Sequence, residues 1–222
     1  MIIHCIIPAK GDSTRIKNKN LIKINNKTLV EHSINHALES SFINYVFTSS
    51  DSDKILEISK KNGSMGIKRP KKLSKKYSTS EEVILHYLNN IKKKFEMPDI
   101  IVFLQPTSPF REPNCIDKAI KRLTYINADS LFSSTKYKNH IWRKRGNRLT
   151  PINHKNDFSI MSQDKHEQII DNGSFYIFKT KGFLKYKTRL FGKITDYSMD
   201  EKYSIQIDEL EDLQIIKSVM KK

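Results

Sequence analysis

Three stretches carry residue types at spacings suited to chemistry. The first is Lys10-Gly11-Asp12-Ser13-Thr14-Arg15-Ile16-Lys17-Asn18-Lys19-Asn20, which packs four cations (Lys10, Arg15, Lys17, Lys19) into ten residues. It follows the isoleucine-rich run Ile2–Ile7. That run reads as a short buried strand stopped by Pro8, which has no N–H for a sheet ladder. Gly11 permits backbone angles that other residues resist, and Asp12, Ser13 and Thr14 are turn formers. A buried strand emptying into such a loop suits an anion that needs close backbone approach and several cations, a nucleoside triphosphate above all. Neither a Walker A motif nor G-x-G-x-x-G is present, so on the residues alone a solvated loop of a lysine-rich chain stands beside that reading.

The second stretch is Leu104-Gln105-Pro106-Thr107-Ser108-Pro109-Phe110-Arg111. Its two prolines make a rigid turn after an apolar strand, Ile100–Leu104. The rigidity is expected to set Gln105 and Arg111 at a pocket rim. There an amide reads a polyol or a base edge, and a guanidinium holds a carboxylate or phosphate bidentately. A stiff helix-entry loop is the plainer alternative. The third stretch is Tyr203-Ser204-Ile205-Gln206-Ile207-Asp208-Glu209. Its alternation predicts a last strand over Tyr203–Ile207 with Ser204, Gln206 and Asp208 on one face. Asp208 then either binds Mg²⁺, which needs few protein carboxylates when a triphosphate supplies oxygens, or caps the helix that follows.

The elements that must position these groups alternate between strand and helix. Asn25-Asn26 reads as a turn, and Thr28 as the cap of a helix with Leu29, Val30, Ile34, Ala37 and Leu38 on one face. Tyr45–Thr48 reads as a strand, and Ser49–Asp53 as a turn into a helix closed by Gly63. Ile67–Pro70 is extended. Two overlapping capping boxes, Ser78 with Glu81 and Thr79 with Glu82, open the next helix. Pro113 is expected to open another, with a strand over Ser130–Ser133 after it. The pattern weakens from Thr135 to Asp171, a polar, basic part with the only tryptophan, Trp142. Strand character returns at Ser174–Phe178, and Leu210, Leu213, Ile216 and Val219 mark a C-terminal helix. The alternation predicts an α/β fold, a mostly parallel sheet with helices on both faces, in which ligands bind past the carboxyl ends of the strands.

The chain has 222 residues and a net charge of +16. That charge raises nucleic-acid binding as a rival function, but the lysines are spread along the chain and are not interleaved with aromatics. No apolar run approaches the roughly 20 residues of a membrane span, and Ile2–Ala9 is too short for a signal peptide. The expectation is a cytoplasmic protein without nucleic-acid or membrane partners. Cys5 and Cys115 sit in apolar settings and read as reduced core thiols, and His32 and His36 as surface or packing residues rather than metal ligands.

With these stretches in hand, the order and spacing of several motifs become informative. They are Ile7-Pro8-Ala9-Lys10, Ser13, Lys19-Asn20-Leu21, Ser49-Ser50-Asp51, Arg69-Pro70, Leu104–Arg111, Asn172-Gly173 and Ile207-Asp208. Over nearly its whole length the chain resembles the N-acylneuraminate cytidylyltransferase family. That family includes the enzymes for legionaminic and pseudaminic acids and, more distantly, CMP-Kdo synthetase. The resemblance implies a single Rossmann-like nucleotidyltransferase domain over residues 1–222, with an arm at about 135–171 that builds a homodimer. It implies transfer of CMP from CTP to a sialic-acid-like 2-keto sugar acid, with Mg²⁺, for surface glycan biosynthesis. Lys10, Gly11, Ser13, Arg15, Lys19 and Asn20 would then hold the triphosphate, with Lys10, Lys19 and Asp208 catalytic and Lys19 stabilising charge at the α-phosphate. Arg69 and Ser80 would lie near the cytosine. Gln105, Thr107, Arg111, Arg143, Gln163, Asn172 and Tyr176 would serve the sugar, and Asp208 with Gln206 the metal.

The chain also departs from the family. Lys10 stands where an arginine is usual, and Gln206 where an aspartate is. Arginines usual near the positions of Ser162 and Ile170 are absent. These departures keep other readings open: another acceptor, such as a phosphorylated sugar or small acid, or a catalytically weak relative.

Overall fold

The computed structural model describes residues 1–13, 15–75, 77–153 and 168–220. The chain starts as β1 (Ile3–Pro8), whose side chains alternate between two apolar faces. Ile3, Cys5 and Ile7 enter one core, while Ile6 enters the other. After the basic loop, β2 (Lys23–Ile24) and β3 (Lys27–Thr28) form a hairpin. Asn25 and Asn26 hold its turn at φ 48° and 65°, the left-handed pair that a two-residue hairpin needs. Thr28 then caps α1 (Leu29–Leu38) in a complete capping box with Glu31. β4 (Tyr45–Ser50), α2 (Asp53–Lys61) and β5 (Met65–Lys68) follow. Ser52 caps α2, and Gly63 reverses the chain at φ 85°.

Next come α3 (Ser80–Ile91), β6 (Ile100–Leu104), α4 (Cys115–Tyr125) and β7 (Ser130–Lys136). The hairpin β8 (Trp142–Arg145) and β9 (Arg148–Pro151) stands as its own two-stranded sheet. The chain ends with β10 (Ile169–Lys179), α5 (Thr180–Tyr186), β11 (Ile194–Ser198) and α6 (Leu210–Val219). The main sheet has the order β11-β7-β10-β6-β1-β4-β5. Its pairs are parallel, except that β10 runs antiparallel to both β6 and β7. One core lies between the sheet and α1, α2 and α4; the other holds α3 and α5, with Val83, Ile84, Tyr87, Leu88 and Phe183 buried. A third, smaller cluster joins Ile16 of the basic loop to Ile207, Leu213 and Ile216, so the N-terminal loop is pinned to α6.

Several expectations are corrected. Residues 203–207 form no strand: a 3-10 turn covers Glu201–Tyr203, and the sheet strand is β11, upstream. Ile207 is apolar because it fills the third cluster, and its N–H makes one bond, to the Thr107 carbonyl at 2.8 Å. α4 begins at Cys115 rather than Pro113, behind Asn114 at φ 59°. Of the two capping boxes only Thr79 with Glu82 forms; the Ser78 hydroxyl donates to the Lys72 carbonyl at 3.0 Å. β10 starts at Ile169, inside the stretch read as weakly patterned. Both cysteines are free and buried, and burial pushes the Cys115 thiol up to about 11.

Candidate active site

A cleft of about 280 Å³ opens past the carboxyl ends of β1 and β6. The basic loop contributes Lys10, Ser13, Arg15, Lys19 and Asn20 to its wall. Arg69 and Ser74–Lys75 form a second wall, the start of α3 (Ser78, Thr79, Ser80) a third, and Phe103, Gln105 and Thr107 the floor. The positive dipole end of α3 also points its N-terminal residues at the cleft.

The loop is tied down at fixed points. The Gly11 N–H donates to Asp51 Oδ1 at 2.9 Å, and Asn20 Nδ2 donates to the Lys10 carbonyl at 2.8 Å. A Cβ on Gly11 would lie 2.8 Å from Ser52 Cβ, so glycine is required by close approach to the cap of α2. Burial alone would raise the Asp51 carboxyl. The N–H groups of Gly11 and Asp51, the Ser74 hydroxyl and nearby Arg69 outweigh it and hold the group below its usual range. Arg69 is only 5% exposed, with Nη2 4.0 Å from Asp51. Its Nε and Nη2, and the Ser13 hydroxyl, are enclosed without a hydrogen-bond partner. Buried donors left unmade are costly, so these three favour an acceptor-rich ligand.

Asp208 closes the loop from the far side. Lys19 Nζ donates to the Ile207 carbonyl at 2.8 Å and to Asp208 Oδ1 at 3.0 Å, while Arg15 reaches Asp208 at 3.0 Å and Glu209 at 3.3 Å. Lys19 is the enclosed member, its side chain 11% exposed against 54% for Arg15. The Asp208 side chain does not cap α6; Glu209 and Asp212 form that capping box. Gln206 donates to the Asn172 carbonyl and lies 3.5 Å from the Thr107 hydroxyl, which donates to its amide oxygen. Gly173, at φ 64°, makes room for it: a Cβ there would fall 2.1 Å from Gln206 Nε2. Among the described residues no three His, Cys, Asp or Glu side chains cluster as a metal cage. The Asp208 carboxylate, 40% exposed and bonded to the cleft residues Arg15 and Lys19, suits Mg²⁺, which takes one or two carboxylates plus substrate phosphates.

Other expected residues lie elsewhere. Arg111 is not at the rim: it is 3% exposed and lines no part of the cleft. Its guanidinium donates to the Ser174 hydroxyl (2.9 Å), the Ser174 carbonyl (3.1 Å) and the Gln105 carbonyl (2.5 Å), bracing β10 against the Pro106–Pro109 turn. Burial lowers it to about 10. Asn172, also buried, takes hydrogen bonds from Ser133 and the Ser174 N–H and donates to the Ser134 carbonyl and Ser204, joining β10 to β7. Tyr176 stands beside Phe103, ring centroids 6.5 Å apart, and its hydroxyl donates to Asp171 at 2.7 Å. Arg143 lies on exposed β8, and Gln163 lies outside the described residues. Asp51 is the anchor the residue-by-residue reading passed over, although its Ser-Ser-Asp motif was visible. His32 and His36 serve packing, each bonded through Nε2 to a carbonyl, of Ile24 and Pro109.

A mostly parallel α/β sheet with a cationic cleft past its strand ends is the architecture expected of a nucleotide-binding protein of the nucleotidyltransferase kind. The family model described as cytidylyltransferase matches residues 4–220, and the chain belongs to that family. The pseudaminic acid cytidylyltransferase of Campylobacter jejuni is 28% identical over 98% of this chain and 95% of its own length. The N-acylneuraminate cytidylyltransferase of Escherichia coli is 28% identical over 99% of this chain but only 52% of its own. Among solved structures, a CMP:2-keto-3-deoxy-manno-octonic acid synthetase complexed with CTP aligns over 100% of this chain and 99% of its own, at 12% identity and a TM-score of 0.74. A 4-diphosphocytidyl-2C-methyl-D-erythritol synthase aligns at 10% identity over 99% and 98%, with a TM-score of 0.71. At those identities the likeness is one of fold.

Proposed function

We propose that this cytidylyltransferase transfers CMP from CTP to a sialic-acid-like 2-keto sugar acid, releasing pyrophosphate, in the synthesis of surface glycans. One observation carries the proposal: within a chain of this family, Lys10, Arg15, Lys19 and Arg69 converge on one cleft whose enclosed donors lack acceptors. The names of the relatives supply the acceptor class.

In this reading the anomeric hydroxyl of the acceptor attacks the α-phosphorus. The new O–P bond forms as the bond to the β-phosphate oxygen breaks, pyrophosphate leaves with the electron pair, and the hydroxyl proton passes to solvent. Such a reaction asks the protein for positioning and charge neutralisation. Lys10, Gly11, Ser13, Arg15, Lys19 and Asn20 hold the triphosphate; Arg69 and Ser80 face the base. Lys19, held by the Ile207 carbonyl, is set to neutralise charge developing at the α-phosphate. Arg15 and Lys19 exchange Asp208 for phosphate oxygens when the nucleotide enters. Asp208 would then hold Mg²⁺, which would supply further neutralisation of the phosphate oxygens. Gln206 is held by the Asn172 carbonyl and the Thr107 hydroxyl, which ties the segment before Asp208 to β10 and to the turn after β6. Gln105, Thr107 and Tyr176 take the acceptor. Trp142, Leu149 and Ile152 of the hairpin arm, all more than 40% exposed, fit packing on a second copy, which would bring Arg143 to the partner's acceptor side.

The test is pyrophosphate release by purified protein with CTP, UTP, ATP or GTP and Mg²⁺, against N-acetylneuraminic acid, pseudaminic acid, legionaminic acid and a set of sugar phosphates. Release only with CTP and a 2-keto acid is expected. Release with a sugar phosphate, or with a purine nucleotide preferred, overturns the assignment.

A further inference from the structure

Arg189 lies in the loop between α5 and β11, and no part of the reaction described above uses it. Its guanidinium carbon stands 4.3 Å from the centroid of the Tyr176 ring and 5.2 Å from that of Phe103. Phe103 is a floor residue of the cleft, as is Gln105, just past the end of β6. The Arg189 Nε donates to Glu81 Oε1 at 2.8 Å, and Glu81 adjoins the cleft residue Ser80 at the start of α3. Its Nη1 is shielded from solvent and has no hydrogen-bond partner, while the side chain as a whole keeps 20% exposure.

These contacts fix a planar cation in three ways. Tyr176 lies closest to the guanidinium carbon, Phe103 stands beside it next to the cleft, and Glu81 holds its Nε. Tyr176 is itself held by Asp171, so the platform is rigid. Glu81 occupies Nε alone, which leaves the outer fork, with its unmade donor, for an incoming group. A fork of this kind matches a carboxylate bidentately. Arg189 borders the cleft behind Phe103 and beside the start of α3, the cations of the basic loop line the cleft itself, and Arg111 is spent inside the protein.

We propose that Arg189 is the acceptor-side cation of this chain, the residue that binds the carboxylate of the sugar acid beside Tyr176 and so selects an acidic acceptor. The inference rests on the keto-acid reading above and assigns its specificity to one residue. A clip joining α3 to the α5–β11 loop is the competing role, and it makes different predictions.

The experiment compares Arg189→Met, Arg189→Lys and Glu81→Gln with wild type, using the 2-keto acid that wild type turns over fastest and its methyl ester. Arg189→Met keeps an apolar stem on Tyr176 and removes the fork. It is expected to raise the acceptor KM roughly 10- to 100-fold, the value of a charged hydrogen-bonded contact. The KM for CTP and the thermal shift caused by CTP should stay unchanged. The preference for acid over ester should collapse toward parity. Arg189→Lys should restore part of that preference, and Glu81→Gln should keep it, because Gln still accepts from Nε. If Arg189→Met melts lower while its acceptor KM and acid-to-ester ratio match wild type, Arg189 is only a clip and the proposal is overturned. If wild type turns over no keto acid at all, the keto-acid reading has failed and the assignment of Arg189 falls with it.

Discussion

Replacing Lys19 by methionine is the sharpest perturbation of the cleft. The side chain is 11% exposed, and its ammonium is fixed by the Ile207 carbonyl at 2.8 Å and Asp208 at 3.0 Å. A unit charge about 4 Å from a phosphate oxygen is worth about 4 kcal/mol at an effective dielectric of about 20. Removal of a preorganised transition-state donor costs about 2.7–4 kcal/mol, or about 10²–10³ in rate. The cost in stability is far smaller. Asp208 is 40% exposed and keeps Arg15, and such partly exposed pairs contribute about 0–1 kcal/mol. Methionine also preserves the packing of the stem. Lys19→Met should therefore lose about 10²–10³ in kcat/KM, chiefly in kcat, with a melting temperature within a few degrees of wild type. Arg15→Met, at 54% exposure, should act mainly on the KM for CTP. Steady-state pyrophosphate release and thermal melts on the three proteins provide the comparison. A loss below tenfold in Lys19→Met, or a larger loss in Arg15→Met, refutes the role given to Lys19.

Three further outcomes are expected. Gly11→Ala drives a Cβ to 2.8 Å from Ser52 Cβ and should weaken CTP binding about tenfold or more through displacement of the loop, measurable by calorimetry. Arg111→Met strands the carbonyls of Gln105 and Ser174 and should cost about 2–4 kcal/mol of stability, lowering the melting temperature by roughly 5–15 °C; an unchanged melt with a raised acceptor KM would return Arg111 to the ligand. Burial holds His4 down at about 4 and His36 at about 3, against 6.5 in the unfolded chain. The unfolded state thus binds the extra protons, so these groups cost nothing above pH 6.5, and acidification from there towards pH 4 removes up to about 1.4 kcal/mol per pH unit for each histidine. Denaturant melts between pH 7.5 and 4.5 should show that decline, and His36→Gln should flatten it; a flat profile for wild type contradicts the buried neutral assignment.

Much of the N-terminal half was legible because its signals are local. Capping at Thr28, Ser52 and Thr79, the Asn25-Asn26 turn and the apolar runs of β1 and β6 each state their structure within a few residues. In the C-terminal third the strand at Ser174–Phe178 and the helix from Leu210 were legible, and β11 and α5 were not. β11 reads Ile-Thr-Asp-Tyr-Ser, a partly exposed strand with no apolar run, and α5 has seven residues interrupted by Gly182, which is there because Phe191 packs against it. The alternation at 203–207 imitates a strand, yet Ile207 is buried against Ile16 and α6, a demand set by tertiary packing that no local period reveals. In the cleft, the loop cations, Arg69, Ser80 and Gln105 were visible from residue type and motif order. The roles of Arg111 and Asn172 were not. A polar residue beside a motif looks the same in sequence whether it faces a ligand or, as here, satisfies the carbonyls and hydroxyls of adjoining strands and the turn after β6. Arg189 carried no sequence signal, because its neighbours Tyr176, Phe103 and Glu81 come from three distant elements.

The central claim is direct transfer of CMP from CTP to the anomeric oxygen of a keto acid. Phosphorus NMR of a reaction containing CTP, Mg²⁺ and pseudaminic or N-acetylneuraminic acid tests it most directly. The account predicts that the CTP signals give way to one uncoupled phosphodiester resonance from the CMP-sugar, with pyrophosphate in equal amount. A pair of mutually coupled resonances from a diphosphate-linked product formed with a sugar phosphate, or no phosphodiester with any keto acid, would contradict it.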